Sequence, residues 1–176
     1  MRKEWDMDFK NISIRGRMAY LLCTFESILN FYNCEKEKWC WILEKLWQYT
    51  SMEYLDDWMY MMAEYMPESI LEDKMEDIEF ITENEIKELK ILYTNCPEEI
   101  KKMLRIVFEL GTIDLYSKLQ NYSPNTLEKL KEGMDLAIRI CGKLPDKSEF
   151  EKYKYTEGNG WGIPFDGKKF SLYLLN

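Results

Sequence analysis

Apolar residues recur in steps of three and four along most of the chain, the spacing that gathers them on one side of an α-helix. The first stripe is Met18, Leu21, Leu22, Phe25, Ile28, Leu29 and Tyr32. It predicts an amphipathic helix that opens near Ser13, packs on one side and stops at Asn33. Arg15 and Arg17 stand at its start, where the helix dipole disfavours cations; they either pair with acids elsewhere or are solvated. Trp39, Ile42, Leu43 and Leu46 repeat the pattern and predict a second helix over 36–49. Thr50-Ser51-Met52-Glu53 has the letters of a capping box, in which threonine and glutamate satisfy backbone donors reciprocally. It introduces a third helix with Leu55, Trp58, Met59, Met62 and Met66 inward and Glu53, Asp57, Tyr60 and Glu64 opposite.

Pro67 interrupts that helix or begins the next, because proline is best tolerated in a first turn. A short helical piece around Ile70 and Leu71 and an acidic connection follow. Thr82-Glu83-Asn84-Glu85 is a second capping box, opening a helix that carries Ile86, Leu89, Ile91, Leu92 and Tyr93. Asn95-Cys96-Pro97-Glu98-Glu99 combines a proline near the first position with acids in the first turn. The helix it opens, over about 97–120, is apolar on more than one face and is expected to be the central, most buried one. Gly111 in its middle marks either a close crossing or a break. Ser123-Pro124-Asn125-Thr126 starts a last long helix with Leu127, Leu130, Met134, Ala137, Ile138 and Cys141 as its stripe, ended by Gly142 and Pro145.

The tail is different. Gly158, Gly160, Gly162 and Gly167 are half of the eight glycines, and Asp166-Gly167 is a hairpin signal between short apolar runs. Residues 152–176 therefore form either a short β-hairpin or an irregular segment docked on the helices. The pattern predicts an all-α, irregular array of about six or seven helices. Residues 1–176 form a single domain in this reading, without a visible linker.

Charge changes the picture. Between Glu53 and Glu88 stand thirteen acids against Lys74 and Lys87, a net charge of −11, which leaves +3 for the rest of a chain whose total is −8. Trp39, Trp41, Trp47 and Trp58, four of the six tryptophans, lie in or just before this segment. A sequence pI near 4.8 speaks against nucleic acid and anionic membrane as partners and favours a basic one. Histidine is absent. That removes Ser-His-Asp and Cys-His nucleophiles, histidine base chemistry and nearly all zinc and carboxylate–histidine di-iron sites. The five cysteines include no Cys-x-x-Cys pair and read as reduced, mostly buried thiols. The apolar runs fall well short of the roughly 20 residues that span a bilayer, and the N-terminus has no apolar signal region. A cytoplasmic protein without membrane contact is the expectation.

The acids of 53–88 form a solvated face, a carboxylate-only metal site through Asp56, Asp57 and Glu64, or a sheet of negative potential that meets a basic protein. The metal reading lacks any D-x-D-x-D-G spacing, and no cofactor is expected. Trp39, Trp41 and Trp47 cannot all face one way on a helix with about 100° between residues, and Tyr60 shares a side with acids. Exposed aromatics beside charges are the usual anchors of protein interfaces. The candidate partner-binding residues are Glu53, Asp56, Asp57, Tyr60, Glu64, Glu68, Glu72, Asp73, Glu76 and Asp77. Glu157-Gly158-Asn159-Gly160-Trp161-Gly162 lacks the lysine and following helix of a phosphate loop and reads as a turn or docking segment.

Ile12-Ser13-Ile14-Arg15-Gly16-Arg17-Met18-Ala19-Tyr20, Trp41-Ile42-Leu43-Glu44-Lys45-Leu46-Trp47, Leu55-Asp56-Asp57-Trp58 and Met66-Pro67-Glu68-Ser69 resemble small bacterial immunity proteins of polymorphic and contact-dependent growth-inhibition toxin systems. The similarity spans roughly the first 75 residues. It implies a non-enzymatic cytoplasmic antitoxin that binds and blocks a cognate toxin domain, often a nuclease. A nuclease cleft must hold phosphates and is expected to be basic, so an acidic, aromatic surface suits it. Two other classes stand beside this one: a helical adaptor or regulatory subunit for a basic non-toxin protein, and an enzyme that uses carboxylates and a metal.

Overall fold

A computed structural model describes residues 9–72 and 76–175 of the chain. Its helices are α1 (Ile14–Phe31), α2 (Lys36–Trp47), α3 (Leu55–Tyr65), α4 (Pro67–Leu71), α5 (Glu83–Asn95), α6 (Glu98–Thr112) and α7 (Pro124–Cys141). Short 3-10 turns at Gln48–Thr50, Ser148–Phe150, Gly158–Gly160 and Gly167–Phe170 join and follow them. The described residues contain no β-strand, only one antiparallel bridge between Ile12 and Lys154. The fold is all-α, and the tail is a docked irregular segment rather than a hairpin. No helix among the described residues is long and apolar enough to cross a membrane.

Helix α1 is the centre of the molecule. Ser13 caps it, its hydroxyl accepting from the Gly16 N–H at 3.2 Å. Asn33 ends it in the left-handed region (φ 54°), while Cys34 N–H donates to the Leu29 carbonyl, the two-bond arrangement that closes helix ends. The one-sided stripe read from the sequence is too narrow. Besides Met18, Leu21, Leu22, Phe25, Ile28 and Leu29, the helix buries Arg15, Arg17, Thr24 and Glu26, because α7 and α6 cover one side and the tail covers another. Helix α6, the expected centre, flanks α1 and stops at Thr112 instead of running to 120. Gly111 settles as a close crossing: a Cβ there would lie 2.9 Å from both Met18 and Trp58 and 3.0 Å from Tyr49.

Among the described residues, the buried arginines bond to neutral oxygens rather than to acids, and both are shielded from solvent. Arg17 donates to the carbonyls of Phe9, Lys10, Tyr122 and Ser123 and, at 2.8 Å, to the Thr126 hydroxyl. Burial lowers its pKa to about 10, against the pull of Tyr155 and Asp114. Arg15 donates to the carbonyls of Tyr49 (2.7 Å) and Gly162 (3.3 Å). Each guanidinium thus presents its rigid fork of donors to chain segments that are remote in sequence. A fan of carbonyl dipoles replaces the lost hydration.

The tail docks through backbone. Ser13 N–H donates to the Tyr153 carbonyl at 2.8 Å and Arg15 N–H to that of Trp161 at 3.0 Å, while Tyr155 N–H returns a bond to Asn11. Gly162 (φ +90°) lies so close to α1 that a Cβ would fall 2.4 Å from the Ser13 hydroxyl. Glu26 ties the final turns: it accepts from Ser171 Oγ at 2.5 Å and Leu172 N at 2.6 Å, as well as from Trp47 Nε1 at 2.9 Å. The expected capping box at Thr50–Glu53 does not form. Thr50 Oγ1 donates to the Trp47 carbonyl and accepts from Gly167 N, and α3 begins only at Leu55, after Tyr54.

Candidate acidic and aromatic surface

Helix α3 positions the candidate surface by committing one side to the core. Leu55, Trp58, Met62 and Tyr65, three or four residues apart, are buried, and Trp58 Nε1 fastens that side to the Lys45 carbonyl at 3.1 Å. What remains outward is Asp57, exposed, and Tyr60, 55% exposed; Asp56 is half-buried beside them. Asp56 and Asp57 occupy the first turn, where carboxylates interact favourably with the helix dipole. They therefore have a local structural role as well. Met66 turns extended and Pro67 opens α4, so the surface changes direction there.

Tyr60 does not stand alone. Its hydroxyl lies 3.2 Å from that of Tyr116, which is 72% exposed. The hydrogen bond with Tyr60 is the first cause pushing Tyr116 up to about 12, and the negative charge of Asp56 adds to it. Asp56, Tyr60 and Tyr116 are thus one electrostatic neighbourhood. The sequence reading missed Tyr116 by extending α6 through it. The signal was Gly111-Thr112, where the helix ends and a turn carries Ile113 (42% exposed) and Tyr116 outward. Tyr54, 62% exposed, precedes α3 directly.

The structure divides the other candidate carboxylates. Glu64, Glu68, Glu72 and Glu76 line a cleft of about 330 Å³ together with Ala63, Ser69 and Ile78. Glu64 and Glu68 are each held by neighbours within the fold. Glu64 accepts the backbone N–H groups of Glu79 (2.9 Å), Phe80 (2.8 Å) and Ile81 (2.9 Å), and so brackets the acidic connection against α3. Glu68 is paired with Arg105 of α6, whose Nε lies at 2.6 Å. Glu53 and Asp77 are exposed, Asp77 with a left-handed backbone (φ 56°); Asp73 lies outside the described residues. Glu85, outside the candidate set, completes the Thr82 capping box and accepts from the Tyr65 hydroxyl at 3.2 Å. Among the described residues, no group of three or more histidines, cysteines or acids is arranged to hold a metal ion.

The tryptophans read as interface candidates are mostly core. Trp39 and Trp47 are buried, as is Trp58, which its stripe places inward, and Trp41 is half-buried with its ring edge-on to Tyr65, centroids 6.1 Å apart. The cysteines are free and half-buried. The exposed aromatic character near the acids is therefore tyrosine. Comparison with protein-family models, curated proteins and solved structures finds no match for this chain.

Proposed function

We propose that this chain is an immunity protein that binds and neutralises a cognate toxin domain with a basic surface, most simply a nuclease, by covering its active cleft. The observation that carries the reading is the Tyr60–Tyr116 pair standing exposed beside Asp56 and Asp57. Two hydrogen-bonded phenols present a broad, stiff contact area at low entropic cost, the property that makes tyrosine a frequent hot spot. Carboxylates around them raise the encounter rate with a cationic partner and set its orientation. The segment 53–88, at −11 within a chain of −8, supplies the longer-range field. Without histidine, the residues here support recognition more readily than acid–base or nucleophilic chemistry. In this reading the protein works in the cytoplasm, needs no cofactor and contacts neither nucleic acid nor membrane.

The test has two stages. Tagged protein is used to capture partners from its native cells at low and high salt, and the gene for each specific partner is then expressed with and without this chain. The reading requires a basic protein that is toxic alone, harmless in combination and held less firmly at high salt. A specific partner that is harmless by itself would replace immunity with the adaptor class. With the partner in hand, Tyr116→Ala should weaken binding by about tenfold or more, and Asp57→Lys should do so mainly through the association rate. Unchanged affinity in both variants would remove this face from the interface.

A further inference from the structure

We propose that the groove between α2 and α5 is a second docking site, and that it takes a cationic amphipathic helix from a protein partner. The proposal is independent of the immunity reading. Helix α5 uses only part of its circumference to fold: Leu89 and Tyr93 are buried. A different set, Glu88, Ile91, Leu92 and Asn95, recurs at steps of three and four and lines a cavity of about 610 Å³. That volume is within the range of specific binding sites. Ile91 is 67% exposed in it, an aliphatic side chain that contributes little to this chain's own core. Across the groove stands Trp41 of α2, half-buried on Tyr65, and Tyr32 and Pro97 also line it.

The occupant follows from shape and charge. Two helices with apolar residues between them form the kind of trough into which a third amphipathic helix lays its own stripe. The lining also contains the carboxylates of Glu35, Glu37 and Glu88 and one ammonium, Lys38, which is itself tied to Glu35 at 2.6 Å. This negative margin selects an apolar stripe flanked by lysine or arginine. It repels anionic lipid, and a second copy of this chain would bring its own net charge of −8. Cys34 and Cys96 line the same cavity and serve as built-in reporters. Burial raises both thiols, Cys96 to about 11, and alkylation at mildly alkaline pH reads their access.

The probe is a fluorescently labelled peptide with leucines at helical spacing and lysines elsewhere, titrated by anisotropy against the full chain. Its counterpart has glutamate in place of every lysine. The lysine peptide should bind and the glutamate peptide should not. Ile91→Asp, at an exposed position that leaves the fold intact by circular dichroism, should weaken binding by about tenfold or more. Glu88→Lys should weaken it as well, whereas Tyr116→Ala should leave it unchanged. Bound peptide should slow alkylation of Cys34 and Cys96 while Cys40, outside the groove, reacts as before. Binding that survives Ile91→Asp within about twofold, equal binding of the glutamate peptide, or unprotected Cys34 and Cys96 would each overturn the proposal. So would a dimer of this chain that Ile91→Asp dissolves, since that assigns the groove to a second copy.

Discussion

Glu64 has the look of an interface acid and the contacts of a structural one, and truncating it separates the two roles. Its carboxylate takes three backbone N–H groups, those of Glu79 and Phe80 in an exposed setting and that of Ile81 partly buried. A hydrogen bond to a charged group contributes roughly 1.5–3 kcal/mol when water is excluded. Here water can rehydrate the two exposed donors after truncation, so about 0.5 kcal/mol each and about 1 kcal/mol for Ile81 is the appropriate scale. Glu64→Ala should therefore favour opening of the 79–81 segment by about 2 kcal/mol, which is roughly a thirtyfold rise in its opening constant. Amide hydrogen exchange reads this directly: the three amides should exchange about thirtyfold faster. The amides of Leu89 and Tyr93 in the buried side of α5 should be nearly unchanged. Glu64→Gln retains one good acceptor and should fall in between. Asp57→Lys, which touches none of these donors, should leave the segment's exchange as it was. If the three amides exchange in Glu64→Ala within about twofold of the native rate, the bracketing role is wrong. Glu64 then returns to the pool of acids available for a partner.

Three further outcomes test the core of the fold. Gly162→Ala combines a left-handed backbone with a Cβ 2.4 Å from the Ser13 hydroxyl, whereas Gly142→Ala at φ +72° meets nothing within 4 Å. Thermal unfolding should show a loss of about 1 kcal/mol for Gly142→Ala from backbone strain alone, and about 3 kcal/mol or more for Gly162→Ala; equal losses would contradict the docked tail. Arg17→Lys leaves most of the converging oxygens without a donor and should cost about 3 kcal/mol in denaturant unfolding, an effect within about 0.5 kcal/mol arguing against this clamp. Burial raises the Glu26 carboxyl above its ordinary 4.5, against the opposing hydrogen bonds from Ser171, Trp47 and the backbone of Leu172 and Tyr173. The folded state then keeps a proton that the unfolded chain has released between pH 4.5 and the raised value, so stability falls as pH rises through that window. Glu26→Gln should remove that part of the slope in a series of unfolding curves, and an unaltered slope would refute it.

Much of the helical framework was legible because its determinants are local. The three-and-four spacing of apolar residues marks α1, α2, α3, α5 and α7. Thr82 and Glu85 form the box their spacing announces, and Asn33 and Gly142 stop their helices in left-handed conformations. These features require interactions among neighbours a few residues apart, and a string of letters preserves that distance. The asymmetry of charge was equally visible, since a sum over residues needs no coordinates.

What only the tertiary structure decided involves competition for a partner. Thr50 has the right letters around it for a capping box, but its hydroxyl is claimed by the Trp47 carbonyl and by Gly167, 117 residues away. Arg15 and Arg17 carry the same charge as any surface arginine, yet converging carbonyls from Tyr49, Tyr122, Ser123 and Gly162 hold them inside. Glu64 and Asp57 are alike in sequence, and only the return of residues 79–81 past α3 engages one and leaves the other exposed. Tyr116 meets Tyr60 because α6 ends at Thr112, just past its crossing at Gly111. In each case the side chain's fate depends on which distant segment the packed core brings alongside it. Periodicity and composition specify which residues prefer the interior, whereas the identity of the neighbour emerges only when the whole chain has closed around α1.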